Sequence, residues 1–263
     1  MRSSPKLVAR GLVAAIIVVA TFVAPRGGAA FERPTAVTID SKILGEERTL
    51  AVTLPAGYEE GTSKYPVLYH LDASTEGESP LAPERDAFPE MITVGIVNTD
   101  RGRDMFPVYV GPKRPTSGGA DAFLRFLTTE VIPLIDQNYR TSGERILFGM
   151  SNSALFTVYA LFQKPNTFDG YIASSPMIGW CFDFMHEQAE AFVDSDEPVE
   201  ALLFIIYGDD DSSKVVEAVP PLVDVLESSP RSGLRWEVEV IEGGGHVPPE
   251  SLPRGLTAYF ASR

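Results

Sequence analysis

Three short stretches carry side chains that could do covalent chemistry. "ILFGMSNSALF" (146–156) sets a lone hydroxyl, Ser151, between an apolar run ending at Gly149-Met150 and a second that opens at Ala154. "YGDDDSS" (207–213) ends another apolar run with Asp209, Asp210 and Asp211, and "EGGGHVPPE" (242–250) places His246 in a glycine-rich loop. A serine beside an imidazole that is oriented by a carboxylate performs nucleophilic acyl transfer. The hydroxyl oxygen attacks an acyl carbon, the histidine moves its proton to the leaving group, and the acid stabilises the imidazolium. Each group also has an ordinary role: a helix N-cap serine, a solvated acidic turn, a solvated loop histidine. The order of the three stretches favours the chemical reading, because serine, acid, histidine is the chain order of a nucleophile borne on a strand-to-helix turn. The turn is crowded and needs small residues two before and two after the nucleophile; here these are Gly149 and Ser153. His186, in "CFDFMHEQAE", reads as a helical residue with no acid-bearing strand end between it and Ser151. Spacing alone does not choose among the three aspartates.

Such a set of side chains needs strands that stop beside one another. "YPVLYHLD" (65–72), "EMITVGIV" (90–97), "RILFGM" (145–150), "GYIASSP" (170–176) and "ALLFIIYG" (201–208) are apolar on nearly every position, the pattern of strands buried on both faces of a parallel sheet. "PTAVTID" (34–40) and "RTLAVTLP" (48–55) read as an antiparallel pair, and "RWEVEVIEG" (235–243) alternates as an edge strand does. Helical patterns fall between them at 120–139, 153–163, 212–229 and 249–261. Strand alternating with helix predicts one α/β domain over residues 31–263: a three-layer sandwich around a mixed, mostly parallel sheet with antiparallel N-terminal strands. The irregular stretches 73–89 and 100–119 follow strands, where the ligand crevice of such a sheet lies. The oxyanion of a tetrahedral intermediate would be held by the backbone N–H of Asn152 and by one near Ala73 and Ser74, after the strand "LYHLD". Tyr69, Phe106, Tyr109 and Trp180 are candidates for an aromatic pocket wall or for plain core.

Bulk properties remove other classes. The chain has 263 residues and a formal charge of −14. Residues 1–30 join a basic start (Arg2, Lys6, Arg10) to the apolar block "GLVAAIIVVATFVA" and the small residues "GGAA", the layout of a secretory signal peptide cleaved after Ala30. The apolar block is short for a membrane span, which needs about 20 residues. Cleavage would remove four positive charges and leave −18, a surface repelled by nucleic acid and by anionic membranes, and one that mildly disfavours highly anionic substrates. The expectation is a secreted or periplasmic protein with no nucleic-acid partner and no stable membrane insertion. Cys181 is the single cysteine, so no internal disulfide and no cysteine-based metal site can form. Neither H-E-x-x-H nor a paired His/Asp cluster occurs, and no metal or other cofactor is expected.

On five stretches the chain resembles the Putative esterase family of α/β-hydrolases, which includes enterobactin (siderophore) esterases, feruloyl esterases, S-formylglutathione hydrolases and mycolyltransferases. They are "YPVLYHLDAS", "PEMITVGIVNTDRGRDMFPV", "SGGADAFLRFLTTEVIPLIDQNYRT", "RILFGMSNSALFTVYALFQKPNTFDGYIASSP" and "GGGHVPPESLPRGL", together spanning about residues 35–258. The resemblance implies a serine esterase acting on a small-molecule carboxylic ester. It implies Ser151 as nucleophile, His246 as base and, three residues beyond the strand-end Gly208, Asp211 as the acid. The chain departs from the family at Ser153 and Ala73, both usually glycine, at a short segment between Asp72 and Pro89, and at Phe106-Pro107 in place of threonine-proline. These departures touch the oxyanion loop and the pocket wall. An acyltransferase on the same site, or a non-catalytic ligand-binding member of the fold, are the alternatives.

Overall fold

The computed structural model describes residues 34–76, 80–81, 87–229 and 231–261; the expected signal peptide lies outside them. Eight strands form one sheet: β1 (Thr35–Ser41), β2 (Glu46–Thr53), β3 (Tyr65–Ala73), β4 (Ile92–Val97), β5 (Thr141–Met150), β6 (Gly170–Ser174), β7 (Ala201–Gly208) and β8 (Leu234–Ile241). Their order is β1-β2-β4-β3-β5-β6-β7-β8. β1 pairs antiparallel with β2, and β2 with β4; every other pairing is parallel. The alternating β8 sits at the edge, where one face meets solvent.

The apolar strands feed two cores because successive side chains leave opposite faces of the pleat. On β5 to β7, Leu147, Tyr171, Leu203 and Ile205 join the larger core with the helices between the strands. Ile146, Phe148, Ile172, Phe204 and Ile206 join the smaller one under α8 (Ser251–Ala261), with Leu252, Leu256 and Tyr259. The result is helix, sheet, helix in three layers, with the mixed sheet in the middle.

Several helices differ from the sequence pattern in detail. The span 120–139 is helical but comprises α2 (Ala120–Phe126), a π-turn (Leu127–Val131) and α3 (Ile132–Asn138). α4 (Asn152–Gln163) starts one residue early and is buried from Asn152 through Phe162. α5 (Phe182–Val193) carries His186. The span 212–229 divides into α6 (Ser213–Val216) and α7 (Val219–Ser228), since Pro220 and Pro221 lack the N–H that a continuous helix would need and suit its first turn instead. The stretch 100–119 is not wholly irregular: α1 (Arg101–Asp104) opens it, capped by the Asp100 carboxylate on the Arg103 N–H.

Candidate active site

The site lies at the carboxyl ends of β3, β5, β6 and β7. Ser151 joins β5 to α4 at φ 59°, ψ −118°, a backbone region that costs a non-glycine residue about 1–3 kcal/mol and persists only where the surroundings impose it. They do so from both sides. The Ser151 N–H donates to the Ser174 carbonyl (2.8 Å), and its own carbonyl accepts from the N–H of Met177 (3.3 Å). Gly149 is required: a Cβ there would collide with the Ser153 carbonyl and lie 2.6 Å from Thr157 Oγ1, in the first turns of α4.

The Ser151 hydroxyl meets His246 Nε2 at 2.8 Å, and His246 Nδ1 meets Asp211 Oδ1 at 2.7 Å. With the proton on Nδ1 facing the carboxylate, Nε2 is free to accept from the serine. The Asp211 side chain is 0% exposed and the imidazole 41%, so the carboxylate is shielded while the imidazole remains open to solvent. Asp211 Oδ1 also accepts the Ser212 N–H (2.6 Å), and Oδ2 is buried with no partner among the described residues.

The other two aspartates are exposed. Asp209 Oδ1 accepts the Gly243 N–H (2.7 Å), and the Asp210 N–H donates to the Gly244 carbonyl (3.0 Å). Both therefore fasten the histidine loop to the end of β7. Gly208 permits the approach, because a Cβ on it would overlap the Gly244 carbonyl. His186 contacts Glu190 (3.6 Å) and the Phe182 ring on α5, apart from this site.

The structure adds residues with no sequence signal of their own. Ser175 (φ 51°) is buried, and its Oγ accepts the N–H of Val247 (2.8 Å), the residue after His246. Ser251 donates to the Pro248 carbonyl and meets Ser174 Oγ at 2.7 Å, so the first turn of α8 braces the same loop. Among the described residues the non-glycine positions with positive φ are Asp72, Ser151, Ser175 and Val247. All four belong to this site, and a positive φ at β-branched Val247 is a genuine outlier.

Across the serine lies Asp72 (φ 58°), the next-to-last residue of β3. It accepts from Asn98 Nδ2 (2.6 Å), Arg101 Nε (2.6 Å) and Nη2 (2.8 Å), and the Ser153 hydroxyl (2.7 Å). Burial, the largest single influence, would raise its pKa. The bonds from Arg101 and Ser153, the Arg101 charge and the Asn98 bond together hold it below the ordinary carboxylate value. Ser153 Oγ also accepts the Met150 N–H (2.8 Å), and Arg101 reaches the Met150 carbonyl (3.2 Å). Where a glycine would only leave space, Ser153 thus ties the turn before Ser151 to the end of β3.

Ala73 closes β3 beside Val97. Its methyl fits because Gly95 has no side chain: a Cβ there would fall 2.5 Å from Ala73 Cβ and 2.7 Å from His70 Nε2. The amide of Asn152 opens α4, where no carbonyl of the helix can reach it. The pocket-wall candidates divide. Tyr69 and Phe106 are buried in the larger core, Tyr69 against Phe168 and Phe106 against Trp180. Tyr109 is 62% exposed, and Trp180 is half-buried, T-shaped against Phe106 with ring centroids 6.2 Å apart.

A three-layer sandwich with a mixed sheet, bearing a strained serine between a strand and a buried helix, defines an α/β-hydrolase fold. The chain belongs to the Putative esterase family, whose profile matches residues 41–208, and it is a carboxylic ester hydrolase. It is 30% identical over 213 residues to ferri-bacillibactin esterase BesA of Bacillus subtilis (strain 168), covering 70% of this chain and 74% of that protein. It is 36% identical over 115 residues to the siderophore enterobactin esterase of Emericella nidulans, a match covering 39% of this chain and 38% of that one. Its fold is similar to that of an IroE-like serine hydrolase from Shewanella oneidensis, with a TM-score of 0.72 and 24% identity over 87% of this chain and 79% of the other.

Proposed function

We propose that the chain is an exported serine esterase that cleaves a siderophore-type carboxylic ester through an acyl-enzyme on Ser151. The carrying observation is the unbroken series Ser151 Oγ, His246, Asp211 at 2.8 and 2.7 Å, on a turn whose strain fixes the serine above the sheet. In the first half-reaction Ser151 Oγ bonds to the acyl carbon as its proton passes to His246 Nε2. The tetrahedral oxyanion is met by the N–H groups of Asn152 and Ala73. The acyl–oxygen bond then breaks and the departing alkoxide takes the proton from His246. In the second half-reaction water gives a proton to His246 and its oxygen to the acyl carbon; the bond from that carbon to Ser151 Oγ then breaks, His246 returns the proton to Oγ, and the acid is released. General acid–base transfer of this kind contributes about 10²–10⁴-fold, and each oxyanion donor about 10²–10³-fold.

The siderophore class is supported by the relatives' names, ferri-bacillibactin esterase and siderophore enterobactin esterase. Export is supported by the basic start, the apolar block and the small residues before Phe31; mass spectrometry of the protein from its natural host is expected to find Phe31 as the first residue, and an intact Met1 would refute it. Ser151→Ala is expected to lower hydrolysis of 4-nitrophenyl butyrate by orders of magnitude and to abolish labelling by a fluorophosphonate, with the melting temperature retained. Activity equal to wild type in that variant would overturn the mechanism.

A further inference from the structure

Near the site, two cations are held in an unusual way. The Arg114 guanidinium carbon lies 5.6 Å from the Trp180 ring centroid and 5.6 Å from that of Phe106, and Lys214 Nζ lies 4.4 Å from Trp180. Both cations are half-buried. The other buried and half-buried arginines among the described residues have oxygen acceptors: Arg48, Arg101, Arg103 and Arg145 hold carboxylates, and Arg140 and Arg231 hold backbone carbonyls. Arg114 and Lys214 have ring contacts, and among the described residues no oxygen accepts from either head group. A ring face attracts a cation but offers no acceptor to its N–H donors. In a chain with 36 acidic residues, two cations left without an acid suit an anion that comes from outside.

Their place points to the ester itself. Lys214 is three residues past Asp211, no more than about 11 Å along an extended chain. Trp180 is three residues past Met177, whose N–H donates to the Ser151 carbonyl, and α6 packs on its turn: a Cβ on Gly179 would lie 2.8 Å from the Lys214 Cα. Arg114 sits in a braced loop after β4, where Ser117 donates to the Arg114 carbonyl (2.6 Å) and accepts the Val110 N–H (3.0 Å). The loops after β4, β6 and β7 therefore bring both charges to the end of the sheet that carries Ser151, already ordered.

We propose that Arg114 and Lys214, held on Trp180, form a subsite for an anionic oxygen group, a carboxylate or phenolate, on the ester that Ser151 attacks. The subsite locally reverses the repulsion that the net charge implies, and it rests on the reading of Ser151 as nucleophile. Two matched ester pairs test it with purified protein. In one, a carboxylate replaces the terminal methyl of the acyl chain: mono-4-nitrophenyl glutarate against 4-nitrophenyl valerate. In the other the charge is on the alcohol side: 3-carboxyphenyl acetate against phenyl acetate. In wild type the anionic member of at least one pair is expected to have the lower KM, and high salt to raise that KM selectively. In Arg114→Gln and Lys214→Gln the anionic-to-neutral ratio of kcat/KM for that pair is expected to fall about tenfold, the scale of one lost charge-assisted hydrogen bond. An unmoved ratio in both pairs, or a wild type with no salt-sensitive preference, overturns the subsite; the salt measurement needs no variant and stands even if the variants fail to fold. If hydrolysis of the neutral esters requires Ser151 while the ratio stays fixed, the subsite alone falls. If Ser151→Ala remains active on the neutral esters, the reading beneath it falls.

Discussion

Two strand-end carboxylates flank Ser151 and are treated in opposite ways. Asp72, at the end of β3, receives four hydrogen bonds from Asn98, Arg101 and Ser153. Asp211, after β7, is fully buried yet spends one oxygen on His246 and the Ser212 N–H, while the other has no partner among the described residues. A carboxylate saturated by fixed donors is part of the frame, because nothing more can be gained from it when charge develops nearby. A shielded carboxylate with spare acceptor capacity, facing a neutral imidazole, gains most at the moment that imidazole becomes a cation. The contrast separates a carboxylate that holds the site from one placed to respond to the reaction proposed for Ser151.

The sharpest way to break this comparison is Asp211→Asn. It keeps the shape but favours the wrong histidine tautomer, a change that costs about 10⁴ in turnover in a serine protease with the same three groups. Turnover on 4-nitrophenyl butyrate is expected to fall by that order, with the melting temperature unchanged or raised, since a buried charge with an unpaired oxygen is replaced by a neutral amide. Asp209→Asn and Asp210→Asn are expected to stay within a few-fold of wild type. A severe loss at either of them, with Asp211→Asn near normal, would show that Asp211 is not the acid.

Asp72→Asn should show the reverse balance. It removes the ion pair with Arg101 and weakens the tie through Ser153. Because the Arg101 side chain is 35% exposed, solvent screening limits the stability loss to about 1 kcal/mol, read by denaturant unfolding. Turnover is expected to fall by about tenfold or less. A loss of turnover larger than that of Asp211→Asn would erase the distinction between frame and reacting group.

The smallest expected effect concerns acid. Burial pushes His70, two residues before Asp72, down to about 4. As pH falls through about 6.5 the unfolded chain binds this proton first, so stability declines between about 6.5 and about 4. The lowered Asp72 adds its loss at still lower pH, as the unfolded carboxylate protonates before the folded one. Melting temperatures measured across that range should fall less steeply for His70→Gln than for wild type; parallel curves would show that His70 is not the group responsible.

What the sequence determined by itself were the features that repeat over many residues or follow chain order. Apolar runs on β3 to β7 specify a buried parallel sheet because a strand covered on both faces can expose no polar side chain to water. Gly149, Ser151 and the apolar block after Ala154 mark a strand-to-helix turn, since only small neighbours fit it. Ser151 before the aspartates before His246 narrowed the acid to three adjacent residues. Spacing left the three open and the family resemblance pointed to Asp211; the tertiary structure puts that carboxylate, and neither neighbour, against His246, because neighbours in a tight turn point in different directions and each direction depends on loop 243–247, whose path is held by Ser175 and Ser251. It likewise placed Tyr69 and Phe106 in the core rather than on a pocket wall, and joined Ser153 to Asp72 across 81 residues of chain. Such contacts leave no periodic trace, because each depends on two backbones meeting at one point and on one hydroxyl having an acceptor there.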